Sequence, residues 1–425
     1  MISDHTCYVW KWLKNQKEPV VAGIIRIDEN NEMSFRYGNS YLQRPDKEPI
    51  YTEELPLIGD QMFAGKLGLK NFSSIRDAAP DAWGRRVIHS KLELDPDQLL
   101  DEMTYMMNSS SDRIGSMDFQ SSSSNYEARG EEQATLAELQ NAAEIIASGQ
   151  KLPIELDKAL LHGTALGGAR PKAMIVDNDA KFIAKFSTST DTYDIVKSEC
   201  IAMKLATLCG INTAEVKLVR TAGKNALLIK RFDREKADDN NWYRSSMISG
   251  LTVLQLDESI AHYSSYPELV ERMQRLCQSF SKDARELYKR VVFNIMVGNT
   301  DDHARNHAFF VDGERLSLTP AYDICPQNRT GGEAGHGMII HNGSNKSTIK
   351  NCLLAAPTFH VSSEDAIEII ENQIKTINDE FENLCDETGL PPEGRRILWK
   401  RAILNDYIFY EHEELKELVT YQLPQ

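Results

Sequence analysis

The stretch Gly298-Asn-Thr-Asp-Asp-His-Ala-Arg-Asn306 decides how this sequence is interpreted. It places Asp301 five residues before Asn306, and Asp323 follows seventeen residues later, after two short apolar runs. Transfer of a phosphoryl group asks little covalent chemistry of a protein. One carboxylate must hold the attacking hydroxyl, and oxygen ligands must hold Mg²⁺ against the phosphates. The spacing supplies one carboxylate for the first task and two oxygen ligands for the second.

The order of these residues is the one that protein kinases use. Their catalytic loop reads H-R-D-x-x-x-x-N, and a metal-binding Asp follows on a later strand. Here Asp283–Val297 has the apolar spacing of an amphipathic helix that ends at Gly298, so Asp301 is predicted to lie in a loop at the end of a rigid helix. The alternative, acids in solvated loops, does not predict this order or spacing.

Asp302 and His303 open a second interpretation, because they and Asp301 could be ligands in the metal site of a phosphohydrolase. Zinc sites and two-metal sites need further His and Asp residues at fixed spacing, and the sequence has no second such cluster. Both residues are therefore interpreted as loop residues beside the base. Three further histidines are interpreted as ordinary polar or core residues: His307, His336 and His341.

The composition indicates a globular chain of two or three domains. It has no run of eighteen apolar residues and no basic-then-apolar leader, so we expect no membrane segment and a cytoplasmic location. Seven scattered cysteines without a C-x-x-C pair indicate reduced thiols. The net charge of −15 argues against a direct grip on nucleic acid. Two serine-rich pieces, Asn108–Ser111 and Ser121–Asn125, are expected on an exposed loop.

The predicted elements indicate a small β-rich part followed by a mostly helical part, in an α+β chain. The predicted strands are 20–27, 33–37, 173–176, 181–186, 214–219 and 226–231, with a hairpin over 307–319 around Asp312-Gly313. The predicted helices are 81–92, 98–107, 133–148, 194–209 and 283–297. A small sheet containing one helix and followed by helices is typical of the two lobes of a kinase.

A glycine-rich loop, Gly163-Thr-Ala-Leu-Gly-Gly-Ala-Arg-Pro-Lys172, precedes the strand predicted at 173–176. It fails the Walker A pattern, because Ala169-Arg170 stands where Lys-Ser/Thr should be and a strand follows. A loop between strands can instead cover phosphates with backbone N–H groups. Arg170 and Lys172 would add positive charge. The alternative is a tight turn with solvated bases.

A candidate ion pair joins Lys185 and Glu199. Strand alternation places Phe182, Ala184 and Phe186 on one face and Lys185 on the other. On the following helix Glu199 lies within the apolar stripe, where a carboxylate is costly unless it is paired. A strand lysine is a suitable partner, and kinases use such a pair to hold the α- and β-phosphates. The alternative is that Glu199 lies at the edge of the stripe and Lys185 is exposed.

Several segments together resemble the HipA-type serine/threonine kinases of bacterial toxin–antitoxin pairs. The segments that carry the resemblance in the second half are 163–172, Leu228-Ile-Lys-Arg-Phe-Asp-Arg234, 299–306 and Leu318-Thr-Pro-Ala-Tyr-Asp323. In the first part they are Phe35-Arg-Tyr, Asp77-Ala-Ala-Pro-Asp-Ala-Trp-Gly-Arg85 and Asp112-Arg-Ile-Gly115. The resemblance covers most of the chain.

The resemblance implies a two-lobed, kinase-like α+β fold with ATP held between the lobes. A small β-rich accessory subdomain would span 1–130, the kinase N-lobe 131–234 and a mostly helical C-lobe 235–425. Asp301 would be the catalytic base, and Asn306 and Asp323 would bind Mg²⁺. The residues that the resemblance implies at ATP are Gly167, Gly168, Ala169, Arg170, Pro171, Lys172, Lys185, Lys230, Arg231, Phe232, His303, Asn306, Tyr322 and Asp323.

The resemblance also implies partners. Family members phosphorylate protein hydroxyls, including those of translation components such as aminoacyl-tRNA synthetases. A HipB-like helix-turn-helix antitoxin neutralises them and brings the pair to DNA, so contact with DNA would be indirect. Many members autophosphorylate a serine in the glycine loop. The matching position here is Ala165, with Thr164 beside it, so either Thr164 substitutes or that step is missing.

The sequence therefore predicts a cytoplasmic Mg²⁺–ATP-dependent serine/threonine protein kinase that is the toxin of such a pair. Two alternatives stay open. The first is a kinase of the same fold that acts on a small molecule. The second is a non-catalytic module that binds a partner or represses transcription, against which the presence of Lys185, Asp301, Asn306 and Asp323 argues.

Overall fold

The computed structural model describes residues 5–65, 69–95, 97–130, 134–148, 150, 164–166, 168–177, 179–189, 191–239, 241–328 and 332–423. The chain forms two compact units, each built from separate parts of the sequence. The first unit comprises Met1–Thr190, Val219–Ile248 and Phe310–Glu314, and the second comprises Asp191–Leu218, Ser249–Phe309 and Arg315–Gln425. The predicted accessory subdomain and most of the predicted N-lobe thus share one unit. The three-domain division stays a prediction.

A five-stranded sheet in the order β4-β3-β2-β1-β5 begins the first unit. Its strands are β1 Thr6–Lys11, β2 Val20–Ile27, β3 Met33–Tyr37, β4 Phe63–Ala64 and β5 Met117–Gln120. Alternate side chains such as Val9, Ile25 and Phe35 enter one hydrophobic core, as the period of two in a strand requires. The bounds predicted for β2 and β3 are confirmed. The sequence did not predict β1, β4 or β5.

A four-stranded sheet in the order β6-β7-β9-β8 follows the glycine loop. Its strands are β6 Lys172–Asp177, β7 Ala180–Phe186, β8 Val216–Thr221 and β9 Lys224–Lys230. On one face Phe182, Ala184 and Phe186 share a buried core with Trp83 and Val87. The predicted strand alternation is therefore confirmed. A ribbon of β10 Arg234–Lys236 and β11 Trp242–Arg244 comes next.

The helices of the first unit are Asn39–Leu42, Ser73–Arg76, Ala82–Lys91, Glu102–Asn108 and Leu136–Ala147. Thr135 and Glu138 form a capping box that begins the last of these, because each side chain accepts from the other's backbone N–H. Asp81 caps the helix Ala82–Lys91 by accepting from Ala82 N–H. Both helices contribute to the core of the four-stranded sheet.

Helices make up most of the second unit. The α-helices are Ile195–Leu208, Gly250–Leu254, Tyr266–Leu276, Phe280–Val297, Ile349–Ala355, Ser363–Thr388 and Pro392–Leu398. Short 3₁₀ turns lie at Glu258–Tyr263, Ala304–Asn306, Ala356–Phe359, Asp406–Phe409 and Glu413–Leu418. The strands β12 Met247–Ser249, β13 Ala308–Asp312 and β14 Arg315–Leu318 form a three-stranded sheet in that order, which includes the predicted hairpin. The predicted combination of a small β-rich part and a mostly helical part is confirmed.

The prediction of an exposed serine-rich loop is wrong for its first half. Ser109, Ser110 and Ser111 are buried. Ser111 Oγ donates to Asp118 at 2.6 Å, so burial is compensated by a hydrogen bond to a charged acceptor. No helix in the described part of the chain combines the length and the apolar composition that a bilayer crossing requires.

Candidate active site

The helix Phe280–Val297 positions the loop that carries Asp301. It ends at Gly298, whose φ of 68° is a left-handed conformation that glycine adopts without strain. A side chain there would also meet the carbonyl oxygen of Ala402, 2.5 Å from an ideal Cβ. The chain therefore turns sharply off a buried helix, and the predicted helix end at Gly298 is confirmed.

Asp301 and Asn306 lie in one compact turn. Asn306 Nδ2 donates to the carbonyl oxygen of Asp301 at 3.2 Å, and Asn306 N–H donates to the carbonyl oxygen of His303 at 2.8 Å. Among the described residues none donates to Asn306 Oδ1. Asn306 is buried, whereas Asp301 is exposed. The turn thus presents the Asp301 carboxylate outward and leaves an amide oxygen beside it for a cation.

Asp323 has a positive φ of 60°. This conformation costs a non-glycine residue about 1 kcal/mol, although Asp tolerates it better than most residues. The preceding residue, Tyr322, donates from its hydroxyl to the carbonyl oxygen of Arg305 at 2.7 Å. That bond fastens the Asp323 segment to the loop of Asp301, and a strained backbone held in this way is common at functional sites.

Electrostatic interactions connect the carboxylates of this loop. Partial loss of hydration raises the pKa of Asp301, the carboxylates of Asp323 and Asp302 raise it further, and His303 acts in the opposite direction. Asp323 is therefore near enough to affect Asp301. A raised pKa makes a carboxylate a better proton acceptor near neutral pH.

Asp302, next to the exposed Asp301, is the centre of a buried hydrogen-bond cluster. Its carboxylate accepts from Asn294 Nδ2 at 2.9 Å, from His336 Nε2 at 3.0 Å and from the Tyr266 hydroxyl, while His307 Nε2 lies 3.1 Å away. Burial alone would raise the pKa of Asp302, but His307 and His336 lower it well below its usual range.

The Asp302 cluster joins two helices of the second unit to the loop of Asp301. Asn294 lies on the helix Phe280–Val297, and Tyr266 begins the helix Tyr266–Leu276. His307 and His336 are buried, so their interpretation as core histidines is confirmed. The role of Asp302 was not predicted, because Tyr266 and His336 are distant from it in sequence. Asn294 and His307 are nearer and were the local signals.

His303 was predicted to contact ATP. It immediately precedes the 3₁₀ turn Ala304–Asn306 and is half-buried. Its Nδ1 is buried and has no hydrogen-bond partner among the described residues. The position beside Asp301 is compatible with the prediction, which stays untested.

The glycine loop lies in the first unit, and Gly167 is outside the described residues. Gly168 has a φ of 92°, and its N–H donates to Asp81 Oδ2 at 2.9 Å. The loop continues through Ala169, Arg170 and Pro171 into Lys172, the first residue of β6. The loop therefore leads directly into a strand, as predicted, and its contact with phosphates stays a prediction.

Lys172 and Lys185 are cross-strand neighbours in β6 and β7. Directly opposite residues project to the same face of a sheet, so these two buried ammonium groups lie on the face opposite the Phe182 core. Glu199 is buried on the helix Ile195–Leu208, which belongs to the second unit. The pairing of Lys185 with Glu199 stays a prediction.

The segment Lys230–Phe232 begins at Lys230, the last residue of β9. Lys230 is exposed, and Phe232 packs edge-on against Phe310 at 5.8 Å between ring centroids. Arg231 is buried, with its guanidinium 2.8 Å from Asp233 and 3.1 Å from Asp112. The side chain of Arg231 is thus used for an internal ion network, and only its backbone is left for a contact with adenine.

Thr164, the candidate for autophosphorylation, is fully buried. Its hydroxyl oxygen accepts from Ser110 N–H at 2.9 Å. The neighbouring Ala165 is buried as well. Phosphorylation of Thr164 would therefore require the loop to leave this position.

Comparisons with known proteins agree with the fold and the loop. The family model described as HipA-like C-terminal domain matches residues 164–381, just over half of the chain. The serine/threonine-protein kinase toxin HipA of Shewanella oneidensis is 23% identical over 188 residues, covering 38% of this chain and 42% of that protein. The toxin YjjJ of Escherichia coli is 27% identical over 187 residues, covering 41% of this chain and 40% of that protein.

A solved structure is similar over nearly the whole chain. The complex of HipA, HipB and operator DNA of the Shewanella oneidensis toxin–antitoxin system has a HipA chain that superposes with a TM-score of 0.71 at 15% identity. The match covers 97% of this chain and 100% of that chain. In sequence, the chain spans only about two fifths of the length of the curated relatives it matches.

The fold and the loop define a protein with a kinase-like architecture. The match to residues 164–381 contains Lys185, Asp301, Asn306 and Asp323. The chain belongs to the family with a HipA-like C-terminal domain, as the HipA-type resemblance predicted.

Proposed function

We propose that this protein is a Mg²⁺- and ATP-dependent serine/threonine protein kinase of the HipA toxin type, acting in the cytoplasm. One observation carries the proposal: Asp301 projects from a turn whose other end, Asn306, is hydrogen-bonded back to the Asp301 carbonyl oxygen. Asp323 lies close enough to raise the pKa of Asp301. A base and two oxygen ligands would therefore lie together in the second unit.

The residues around Asp301 suit a magnesium ion. Mg²⁺ binds few protein oxygens and completes its shell with water and substrate phosphates. Asn306 Oδ1 and the Asp323 carboxylate would hold it, and the ion would neutralise charge on the phosphates. The raised pKa of the Asp301 carboxylate suits it to accept the proton of the attacking hydroxyl.

The first unit would contribute the nucleotide contacts. The loop from Gly168 to Lys172 would lie against the phosphates, and Lys172 and Lys185 would supply positive charge from one face of the sheet. The backbone of Lys230–Phe232 would border adenine. Glu199 would hold Lys185 in the active form, as in other kinases.

Transfer of labelled phosphate tests the proposal directly. The protein is incubated with γ-labelled ATP, Mg²⁺ and a lysate, and label is followed in protein bands and in the small-molecule fraction. Label in a protein other than this chain, on serine or threonine, is the expected result. Label confined to small molecules would indicate the alternative kinase, and no label in either fraction would indicate a non-catalytic module.

Two substitutions separate the roles of the base and the metal ligand. Asp301→Ala should abolish transfer and leave the affinity for Mg²⁺–ATP nearly unchanged, because the base acts only on the hydroxyl. Asp323→Ala should weaken Mg²⁺–ATP binding itself, measured by calorimetry. Asp60→Ala is a matched control, since Asp60 also has a positive φ but lies in the first unit. Full activity of Asp301→Ala would overturn the assignment of the base.

The toxin assignment adds growth arrest and an antitoxin to the kinase activity. It is supported by the similarity to a HipA whose structure contains HipB and operator DNA. The net charge of −15 fits contact with DNA through a partner rather than directly. Expression should arrest growth, and co-expression of a small helix-turn-helix protein from a neighbouring reading frame should restore it. Arrest that persists with Asp301→Ala would show that kinase activity is not the cause.

A further inference from the structure

The start of the helix Ala82–Lys91 contacts the main chain of the glycine loop at Gly168. Asp81 Oδ2 accepts from Gly168 N–H at 2.9 Å, and Trp83 N–H donates to the Gly168 carbonyl oxygen at 3.0 Å. Both polar groups of the Gly168 backbone are therefore held by two residues at the start of one helix. All of these residues belong to the first unit.

Two further bonds extend these contacts along the loop. The Arg86 guanidinium donates to the carbonyl oxygen of Ala169, and Trp83 Nε1 donates to the carbonyl oxygen of Lys172 at 2.9 Å. Trp83 is fully buried and packs in the core beneath the four-stranded sheet. The helix is thus fixed to the sheet on one side and to the loop on the other.

Gly84 makes a close approach to the same loop. An ideal Cβ at this position would lie 2.0 Å from the carbonyl oxygen of Thr164. The contact is with backbone, so any side chain would force the loop or the helix to move. Glycine inside a helix costs about 1 kcal/mol relative to alanine, and the contact with Thr164 gives a reason for it.

We propose that the start of this helix is a clamp that holds the glycine loop in its phosphate-binding form. Asp81 and Trp83 are its positioning residues, and Gly84 provides the fit. The two hydrogen bonds of Gly168 fix the orientation of the peptide bond between Gly168 and Ala169. Among the described residues none accepts from Ala169 N–H, which leaves this donor for a phosphate oxygen. Backbone N–H groups held in this way bind phosphate without the entropic cost of ordering the loop.

The expected effect of the clamp, a higher affinity for ATP, rests on the proposed function. Calorimetric titration with Mg²⁺–ATP measures that affinity without any phosphoryl transfer. Hydrogen exchange of the peptide spanning 164–172, followed by mass spectrometry without nucleotide, measures the order of the loop directly. The two measurements together separate the clamp from the kinase activity.

Asp81→Ala and Gly84→Ala should each accelerate exchange in this peptide about tenfold or more and weaken ATP binding about tenfold, because each loosens the loop. Asp81→Asn keeps an oxygen acceptor for Gly168 N–H and should retain most of the protection. Gly59→Ala is the control for the glycine substitution, since an added Cβ at Gly59 meets nothing within 4 Å.

Three results would overturn the clamp. Unchanged exchange in both Asp81→Ala and Gly84→Ala would show that the contacts do not order the loop. Slower exchange in Gly84→Ala would show that helix propensity outweighs the contact with Thr164. Faster exchange with unchanged ATP affinity would show that the ordered loop does not serve the nucleotide. Failure of the wild-type protein to transfer phosphate would reject the proposed kinase activity. Hydrogen exchange and ATP titration would still test the clamp, because neither needs phosphoryl transfer.

Discussion

Two adjacent carboxylates, Asp301 and Asp302, should respond in opposite ways to the same substitution. Asp301 is exposed and its pKa is raised by partial loss of hydration and by neighbouring carboxylates. Asp302 is buried and its pKa is lowered by two histidines, in spite of burial. Replacing either by Asn removes one charge and almost no volume. Differences between the two variants therefore reflect environment rather than size.

The contacts of Asp302 determine how much stability the Asp302→Asn substitution should remove. Its carboxylate accepts from Tyr266, Asn294 and His336, with His307 also within reach. Hydrogen bonds to charged acceptors contribute about 1.5–3 kcal/mol each, against about 0.5–1.5 kcal/mol for neutral ones. An Asn side chain keeps one acceptor oxygen, but its NH₂ group, itself a donor, would face some of these donors. We expect Asp302→Asn to lower the free energy of unfolding by about 3 kcal/mol, within the range for a broken buried charge pair.

The pH dependence gives a second signature. A lowered pKa means that Asp302 stabilises the fold above the pKa of an unfolded Asp, about 3.9, and that this stabilisation is lost as the pH falls below it. By linkage, the loss between pH 7 and pH 3.5 is less than about 1 kcal/mol for this group. In Asp302→Asn this contribution to the pH dependence of the free energy of unfolding should be absent. For Asp301 the raised pKa has the opposite sign, because its ionised form opposes folding at neutral pH, so Asp301→Asn should not destabilise the protein.

Urea denaturation followed by tryptophan fluorescence at pH 7 and pH 3.5 measures both effects on the wild type and the two variants. Unfolding of Asp302→Asn at the same urea concentration as the wild type would contradict the predicted loss of stability. A loss of stability in Asp301→Asn as large as that in Asp302→Asn would contradict the predicted difference between the two carboxylates. Equal pH dependence in all three proteins would reject the assignment of the lowered pKa to Asp302.

Two further substitutions test the internal ion network and the end of the central helix. Arg231→Ala should lower the free energy of unfolding by about 3 kcal/mol, because it removes the two charge-assisted hydrogen bonds from Arg231 to the buried Asp233 and leaves Arg234 as the remaining arginine partner; a loss below about 1 kcal/mol in chemical denaturation would contradict this. Gly298→Ala should cost at least about 1 kcal/mol, since it adds a Cβ at positive φ beside the Ala402 carbonyl oxygen, whereas Gly59→Ala should leave the urea midpoint unchanged.

Local pattern was sufficient for much of the fold. The strands β2 and β3, the helix that ends at Gly298 and the turn before Lys172 all follow from apolar spacing and turn residues close in sequence. The order of Asp301, Asn306 and Asp323 was also visible, because the three residues lie in one stretch of the sequence. The strands, the helix end and the turn depend on neighbours within a few residues.

What the sequence did not show depends on partners distant along the chain. Ser110 looked like part of a solvated loop, but its N–H donates to Thr164. Arg231 was predicted at ATP from the resemblance, and nothing in its neighbourhood in the sequence indicated that its guanidinium binds Asp112. Local composition carries no information about either partner. Burial of a polar residue can be inferred only when the group that compensates it is known.

Three residues have unfavourable local energetics: Gly84 in the first unit, and Asp302 and Asp323 in the second. Gly84 lies inside a helix and fits the loop at Thr164. Asp302 is a buried carboxylate, and Asp323 has a positive φ. A sequence under selection for stability alone would use a helix-forming residue, an apolar residue and a glycine at such positions. Residues with unfavourable conformation or burial are expected at positions where function, rather than stability, determines the residue.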